Sequence, residues 1–407
     1  MMSSKILRSI PFLFIYLFLN IYHVFSWEIT FLFDVCMMLL FIPLRSQKNT
    51  YKWIPLFLFS YFIFIIWLYF YSESLNSYDK GVINSNVVMF GFMLSIWIVC
   101  KRIRIRESVF LDILSIVLLL QPIIILLQFF IPPLREIMAA FIGYEGDHSE
   151  VSDLNLRMLG FTKSYDTSAI LAVASTLIWS FRVSICINLK NEICLITSII
   201  SCFLTSRTGI VLAFCIIAFI IVPIIYKNSR IKIIFSIIIV FVIIISFSTM
   251  VYYIGEIVNV VNDPIGYRMT SSNDNYTSGS LNVLLTTHWE PLMDGFHNLK
   301  LGTLQRADDN IHSDIGYVKT IYETGIISLI FFTSYYCISF YSLLSNYKNR
   351  NMIQKRLIKN TLGLILLVFL FSFKNRFMFN IGGIHLLITI VTFYLLTSSQ
   401  SNANYGL

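Results

Sequence analysis

The sequence contains few charged residues for its length. Charged side chains make up only 13% of the 407 residues, whereas hydrophobic side chains make up 57%. A soluble globular domain carries about twice that share of charge. Apolar runs of roughly 20 residues, long enough to cross a hydrocarbon core, recur throughout the chain. The composition therefore excludes an ordinary soluble protein and predicts a single all-α, polytopic integral membrane domain over residues 1–407.

The sequence also lacks the cysteine patterns of disulfide frameworks and zinc sites. All 7 cysteines fall within apolar runs or beside a basic loop, and no Cys-x-x-Cys pair occurs. The long polar loops contain none of them, so neither a disulfide framework nor a zinc site is expected. The cysteines are interpreted as small residues of the membrane core. No metal and no cofactor are predicted.

The apolar runs predict about twelve membrane spans, long enough to cross the bilayer. The first run follows Lys5 and Arg8 without a small-residue cleavage site, so a retained span is expected and not a removed signal peptide. The short runs at 193–206 and 360–373 leave tilted, broken or re-entrant helices open. The predicted spans lie near residues 9–26, 28–44, 53–72, 83–100, 109–132, 165–181, 193–206, 208–226, 233–254, 315–344, 360–373 and 378–396.

The basic residues are distributed unevenly among the predicted loops. The net charge is +8, but basic residues in short loops between apolar runs indicate membrane orientation and not nucleic-acid binding. Lys5 and Arg8 predict a cytoplasmic N-terminus, and the alternation of spans then places most of the basic residues on the same side. That side receives both termini and the basic loops near residues 45–52, 101–106, 182–190, 227–232 and 348–359.

The opposite side receives two long polar loops, 133–164 and the large loop 255–314. Arg207, Lys374 and Arg376 also fall on that side, against the usual bias of basic residues. An anionic ligand at the outer face explains such cations, and so does contact with phospholipid headgroups or snorkelling of the side chains. Membrane lipids are therefore expected partners in either case.

The large loop 255–314 contains the candidate catalytic residue, His312. Its last seven residues, 308–314, read Asp-Asp-Asn-Ile-His-Ser-Asp and lead directly into the next apolar run. Histidine titrates near neutral pH, so it is able to take a proton from a substrate hydroxyl. Asp309 or Asp314 orients the ring in this hypothesis, and the alternative is a loop histidine without a role.

Three arginines of the outer loops are candidates for binding an anion. Arg157, Arg207 and Arg268 each lie near the end of a predicted span, beside glycine or aromatic residues. The guanidinium is always charged and its fork of donors fits phosphate oxygens, so together the three suit a pyrophosphate. A surface or structural role for each arginine alone remains the alternative.

Ionisable residues also occur inside the predicted spans. His23, Asp34, Asp112 and His385 all lie within apolar runs, and ionisable groups in a membrane are functional candidates by default. No spacing connects them to one another. They are therefore interpreted as hydrogen-bonded residues of the interior.

Several short motifs resemble those of the O-antigen polymerase and ligase superfamily. Their order and their common side of the membrane carry the resemblance, together with the span count and the position of the large loop. Where related proteins often carry a second Gly-Arg in the large loop, this chain has Gly279-Ser280-Leu281, so that one phosphate contact is either missing or supplied by Arg306. The matching motifs are Arg157 with Gly160–Phe161, Ser206–Gly209, Leu301–Gly302, Asn310–Ser313 and Tyr322–Ile326.

The resemblance implies a lipid-linked glycan polymerase of the bacterial inner membrane with a periplasmic active site. Its substrates would be oligosaccharide repeat units linked to undecaprenyl pyrophosphate. His312 would be the general base, and Arg157, Arg207 and Arg268 would hold the pyrophosphate leaving group. Whether a chain-length regulator also binds stays open.

Two alternatives to a polymerase remain. The ligase of the same superfamily shares the donor and the chemistry but transfers the finished glycan to a lipid A core. A transporter or flippase for lipid-linked oligosaccharides also has about twelve spans, but such proteins often show repeated halves and binding residues at mid-membrane. No repeat is visible in this sequence and the polar candidates lie in outer loops, which favours an enzyme.

Overall fold

The computed structural model describes residues 4–22, 27–41, 53–75, 78–102, 105, 107–142, 158–162, 165–205, 209, 213, 301–305, 307, 316–348, 350–372 and 383–397. Every regular element within these residues is an α-helix. We number the helices in chain order as α1 (Ser4–Tyr22), α2 (Trp27–Phe41), α3 (Trp53–Glu73), α4 (Lys80–Arg102), α5 (Glu107–Phe130), α6 (Pro132–Ile142), α7 (Tyr165–Ile185), α8 (Leu189–Phe203), α9 (Gly316–Asn346), α10 (Met352–Phe371) and α11 (Gly383–Thr397).

The prediction of a helical membrane protein is confirmed for the described residues. Five helices are long and apolar enough to cross a membrane, and shorter apolar helices lie within α1, α2 and α11. Apart from residues 209 and 213, the predicted spans at 208–226 and 233–254 fall outside the described residues, as does most of the large loop 255–314. The count of about twelve spans therefore stays a prediction. The five long helices are Trp53–Glu73, Lys80–Arg102, Glu107–Phe130, Thr167–Ile185 and Tyr317–Asn346.

The segment predicted as the outer loop 133–164 begins with a helix. Helix α6 starts at Pro132, and proline suits the first turn of a helix because its missing N–H would have no partner there. One side of α6 buries Met138 and Ile142, while Ile137 and Phe141 on the other side are exposed. An apolar side without protein contact is typical of a helix that lies in the membrane interface. With only 11 residues, α6 is too short to be predicted as a membrane span.

Helix α7 is the most enclosed of the long apolar helices. It packs against α5, α8, α10 and α11. Its residues Ala169, Ala172 and Ala174 are fully buried. Such small residues let neighbouring helices approach closely, and this close packing drives helix association in a membrane, where the hydrophobic effect does not. Helix α3, by contrast, exposes apolar side chains such as Leu56 and Phe70, as expected of a helix that faces lipid.

The described parts of three predicted basic loops, 101–106, 182–190 and 348–359, meet at one end of the helices. Asn351 Nδ2 donates to Glu107 Oε2 at 2.6 Å, and the Gln354 side chain donates to Glu107 Oε1, so the α9–α10 connection contacts the start of α5. The Tyr394 hydroxyl donates to the Ile105 carbonyl at 3.0 Å, which adds the end of α11. We call this the basic end.

The α7–α8 connection also belongs to the basic end. Arg182 Nη1 lies 2.6 Å from Asp112 Oδ1 and donates to Ser115 Oγ at 2.7 Å, while Arg356 Nη1 donates to Ser184 Oγ at 2.7 Å. The interpretation of Asp112 as an interior residue is wrong, because its side chain is 53% exposed and forms an ion pair. The prediction that the basic loops 101–106, 182–190 and 348–359 share one side agrees with these contacts.

Candidate functional site

Loop segments at the other end of the bundle hold the described parts of the candidate site. Helix α4 runs from Lys80 towards Cys100, whose carbonyl accepts from Thr397 Oγ1 at the basic end. The end of α3, the end of α5 and the start of α7 therefore lie at the opposite end, which we call the outer end. Two tightly bonded segments lie there, the turn 158–162 and the segment 301–307.

The turn 158–162 is held by the buried side chain of Gln121 on α5. Gln121 Nε2 donates to the Leu159 carbonyl at 3.1 Å and to Ser168 Oγ at 2.9 Å, and Gln121 Oε1 accepts from the Phe161 N–H at 2.9 Å. A primary amide has both donors and acceptors, so one side chain is able to bind both sides of a turn. This is why a buried glutamine is stable here.

Gly160 is required at the centre of that turn. Its φ of 64° lies in the left-handed region, and a Cβ at this position would lie 2.3 Å from Gln121 Nε2. The Gly160 N–H donates to Gln128 Oε1 at 2.9 Å, two helical turns along α5 from Gln121. The turn therefore rests directly on the side chains of α5.

An aromatic cluster supports the same turn from α1. The Phe161 ring lies 5.4 Å from Phe18 in an edge-on arrangement and 5.4 Å from Tyr22. The Tyr22 hydroxyl in turn donates to the Val117 carbonyl of α5 at 2.7 Å. Edge-to-face aromatic pairs stabilise beyond the area they bury, so this cluster adds a second anchor for the turn.

The turn 158–162 is joined to the end of α8. The Met158 N–H donates to the Leu204 carbonyl at 2.8 Å, and α8 itself ends where the Leu204 N–H bonds to the Ser201 carbonyl. In the chain, Arg157 directly precedes Met158, and Arg207 follows Leu204 by three residues. The segments that lead to these two arginines are therefore in contact.

Gly209 lies against the same helix end. A Cβ at Gly209 would lie 2.4 Å from the Cys202 carbonyl oxygen and 2.6 Å from Thr205 Oγ1, with Ala169 of α7 at 3.2 Å. The glycine of the Ser206–Gly209 motif thus has a packing reason, since only a residue without a side chain fits between α7 and α8.

We expect Gly209→Ala to destabilise the protein, because the added methyl group meets a backbone oxygen that cannot rotate away. Overpacking of this kind costs about 1–3 kcal/mol. Thermal unfolding of the purified protein in detergent measures the effect. Gly363→Ala on α10 is the matched control, since a Cβ there meets nothing within 4 Å. Equal unfolding temperatures for the two variants would contradict this packing.

The segment 301–307 docks onto a break in α9. Gly325 has φ 79° and ψ 174°, a non-helical conformation that interrupts the helix. The Thr303 N–H donates to the Tyr322 carbonyl at 2.7 Å, and the Leu304 N–H donates to the Glu323 carbonyl at 2.9 Å. A broken helix is tolerated in a membrane protein when neighbouring groups bond the backbone near the break, as these two N–H groups do here.

Further bonds tie the segment 301–307 to three helices. Glu323 Oε1 accepts from the Ala307 N–H at 2.9 Å. On the other side, the Tyr71 hydroxyl donates to the Gly302 carbonyl at 3.1 Å, and the Asp79 N–H donates to the Leu304 carbonyl at 2.8 Å. The stretch 308–314, which contains His312, follows directly from a segment that is fixed on α3, α4 and α9.

The predicted site residues themselves lie outside the described residues. The structure therefore brings together segments next to several of these residues, and the positions of the side chains themselves stay predictions. Within the described residues, no group of three or more His, Cys, Asp or Glu side chains is placed to hold a metal ion. The predicted residues outside the described part of the chain are His312, Arg157, Arg207, Arg268, Arg306, Asp309 and Asp314.

Sequence reasoning missed the supporting roles of the polar residues Gln121, Gln128 and Glu323. Gln121 and Gln128 lie seven residues apart in an apolar run, a spacing that puts both on one helix face. Glu323 is an acid inside a predicted span, and such residues are functional candidates. The Gln121–Gln128 spacing and the acid at position 323 are both evident in the sequence. The loop residues that these side chains bind are not evident from it.

Arg135 is a further cation at the outer end. Its Nε donates to the Gln128 carbonyl at 2.7 Å and its Nη2 to the Phe129 carbonyl at 3.3 Å, so it caps the end of α5. A cation at this position also interacts favourably with the helix dipole. Partial burial lowers the pKa of Arg135 from its ordinary value.

Comparisons of the chain with protein-family models, with curated proteins and with solved structures found no match.

Proposed function

We propose that the protein is a glycosyltransferase that polymerises oligosaccharide repeat units linked to undecaprenyl pyrophosphate. The reaction takes place at the periplasmic face of a bacterial inner membrane, where the outer end of the bundle lies. The donor is the growing glycan on its carrier lipid, and the acceptor is one repeat unit on a second carrier lipid.

In the proposed reaction, a hydroxyl of the acceptor's terminal sugar attacks the anomeric carbon of the donor. The new glycosidic bond forms as the bond from that carbon to the pyrophosphate oxygen breaks, and His312 takes the hydroxyl proton. Arg157, Arg207 and Arg268, with Arg306 in support, stabilise the charge that develops on the leaving pyrophosphate. Asp309 or Asp314 orients the His312 ring.

The observation that carries the proposal is the bond between Met158 and Leu204. It connects the segment that follows Arg157 with the segment that precedes Arg207. Helices α7 and α8 lie between these two segments in the chain. A pyrophosphate needs donors from more than one direction, and two arginine-bearing segments in contact are suited to supply them.

The segment 301–307 gives independent support. A general base has to be held at a fixed distance from the reacting hydroxyl. The chain reaches His312 from Ala307, whose N–H is bonded to the Glu323 carboxylate, and enters α9 soon afterwards. A loop that is anchored so closely before and after a histidine suits positioning of a base.

The ligase of the same superfamily and a transporter remain alternatives. The ligase would use the same donor and the same groups, so the acceptor alone distinguishes it. The break in α9 at Gly325 is an observation in favour of a transporter, since discontinuous helices occur in transporter binding sites. The glycan products that accumulate in the cell distinguish a polymerase, a ligase and a transporter.

We expect His312→Ala to abolish polymerisation. The gene is deleted in its host and restored as wild type, as His312→Ala or as His297→Ala, and the surface polysaccharide is examined on a gel. His297 is the matched control, since it is another histidine of the large loop. A lipid A core with a single repeat in His312→Ala, and a full ladder in His297→Ala, is the expected result.

Other patterns would overturn parts of the proposal. A core without any repeat, with long chains on the carrier lipid, would identify a ligase. Repeat units that stay on the cytoplasmic side would identify a transporter. A full ladder from His312→Ala would remove the catalytic assignment, and variants of Arg157 and Arg207 would then be tested in the same way.

A further inference from the structure

A buried carboxyl–amide pair connects α1 to α2 inside the bundle. Asp34 and Asn20 are both fully buried. Asn20 Nδ2 donates to Asp34 Oδ1 at 2.8 Å and to the Tyr16 carbonyl at 3.0 Å, which uses both of its N–H groups. Among the described residues, Asp34 Oδ2 and Asn20 Oδ1 have no hydrogen-bond partner. Each side chain therefore presents one oxygen that lacks a donor.

The described groups around Asp34 supply no positive charge. From α4, Ser95 Oγ donates to the Asp34 backbone carbonyl at 3.3 Å, and the Tyr16 hydroxyl of α1 lies 3.3 Å from Ser95 Oγ. No cation of the described chain forms an ion pair with the Asp34 carboxyl. Burial of an unpaired carboxylate in an apolar interior is strongly unfavourable, so the site as described needs a positive charge.

We propose that Asp34 is a proton-binding site and that the bound proton forms a hydrogen bond from Asp34 Oδ2 to Asn20 Oδ1. A single proton satisfies both oxygens and removes the negative charge. The product is a neutral acid–amide pair with one hydrogen bond in each direction. This site is separate from the glycosyl transfer proposed above, and neither depends on the other.

The proposal has a structural consequence for α1 and α2. The contact between them depends on occupancy of the proton site, because loss of the proton leaves a charge and two unpaired oxygens between the helices. Both helices contact elements of the central bundle, α1 through α5 and α11 and α2 through α4. A small monovalent cation such as sodium is the competing ligand for the same oxygens.

Infrared spectroscopy of the full-length protein tests the bound proton directly. A protonated carboxylic acid has a carbonyl stretch that a carboxylate lacks. We expect this band in the wild type at neutral pH, its loss in Asp34→Asn and its shift in Asn20→Leu. Asp112→Asn is the matched control and should remove no such band, because Asp112 is half-exposed and paired with Arg182.

The spectrum of the wild type alone is able to overturn the proposal. Absence of an Asp34 acid band would show an ionised carboxyl, whether paired with sodium or with a cation from outside the described residues. A band that appears only after sodium is replaced by a large organic cation would assign the site to sodium and not to a proton.

Thermal unfolding in detergent provides a second measurement. We expect Asp34→Asn to unfold at the wild-type temperature, because an amide at position 34 donates to Asn20 Oδ1 and accepts from Asn20 Nδ2 as the neutral acid does. Asp34→Leu should unfold at a lower temperature, since it leaves the Asn20 amide without this partner. Equal losses in Asp34→Asn and Asp34→Leu would contradict the neutral acid–amide pair.

Discussion

Replacement of Gly302 with alanine is expected to displace the segment 301–307 from α9 and to destabilise the outer end. Gly302 has φ 74°, and a Cβ there would lie 2.5 Å from the Gly325 nitrogen and 2.6 Å from the Glu323 carbonyl oxygen. Both contacts are with backbone atoms, so no rotamer change relieves them. The left-handed backbone alone costs about 1–3 kcal/mol for a residue with a side chain, and overpacking adds a similar amount of about 1–3 kcal/mol.

The effect of Gly302→Ala should extend to function. The displaced segment loses its bonds to Tyr322 and Glu323, and the chain that follows it contains His312. We therefore expect a lower unfolding temperature in detergent and a loss of long glycan chains from the surface polysaccharide. If the variant retains wild-type stability and a full ladder, the docking of this segment has no role in either property.

Gly363→Ala serves as the control for Gly302→Ala. Gly363 lies in α10, and a Cβ there meets no atom within 4 Å. Alanine is favoured over glycine in a helix by about 1 kcal/mol in water. The control should therefore leave the unfolding temperature unchanged or raise it slightly. A loss in both variants would indicate a general intolerance of glycine substitution and would remove the specific argument for Gly302.

The long helices were predictable because membrane spans are recognised by composition and length. The predicted span 53–72 corresponds to Trp53–Glu73, and 109–132 corresponds to Glu107–Phe130. No partner in the fold is needed to make such a run helical in lipid, because every backbone group has to be bonded within the segment.

The break in α9 was not predictable by the same reasoning. The predicted span 315–344 is continuous, whereas the helix is interrupted at Gly325. A glycine in an apolar run is common and does not by itself break a helix. The interruption is stabilised here because the N–H groups of Thr303 and Leu304, from the loop before the helix, bond the Tyr322 and Glu323 carbonyls. Local sequence contains no information about that partner.

In the candidate site too, the features set by local sequence were predictable and the contacts between separate segments were not. The glycines at 160, 209 and 302 belong to the motifs that the sequence indicated, and each has a close approach or a left-handed backbone that explains it. The supporting contacts of Gln121 and Glu323 were missed because their partners come from other loops. The roles of His312 and the arginines stay predictions, since those residues lie outside the described part of the chain.

Gln121→Leu is expected to cause the largest loss of any single side-chain change at the turn 158–162. Leucine has a similar volume but removes three hydrogen bonds, to the Leu159 carbonyl, Ser168 Oγ and the Phe161 N–H. At about 1 kcal/mol for each bond, with a further cost for the Phe161 N–H left unpaired in the interior, the free energy of unfolding should fall by about 4–5 kcal/mol. Thermal or denaturant unfolding in detergent measures it.

Gln128→Leu is the matched control for Gln121→Leu. It makes the same substitution on the same helix face but removes only one side-chain bond, from the Gly160 N–H, and also leaves one backbone donor unpaired. The expected loss is about 2–3 kcal/mol. The difference between the variants then measures the two bonds from Gln121 Nε2. Equal losses would show that these bonds contribute nothing, and that the turn is held by its backbone donors and the aromatic cluster instead.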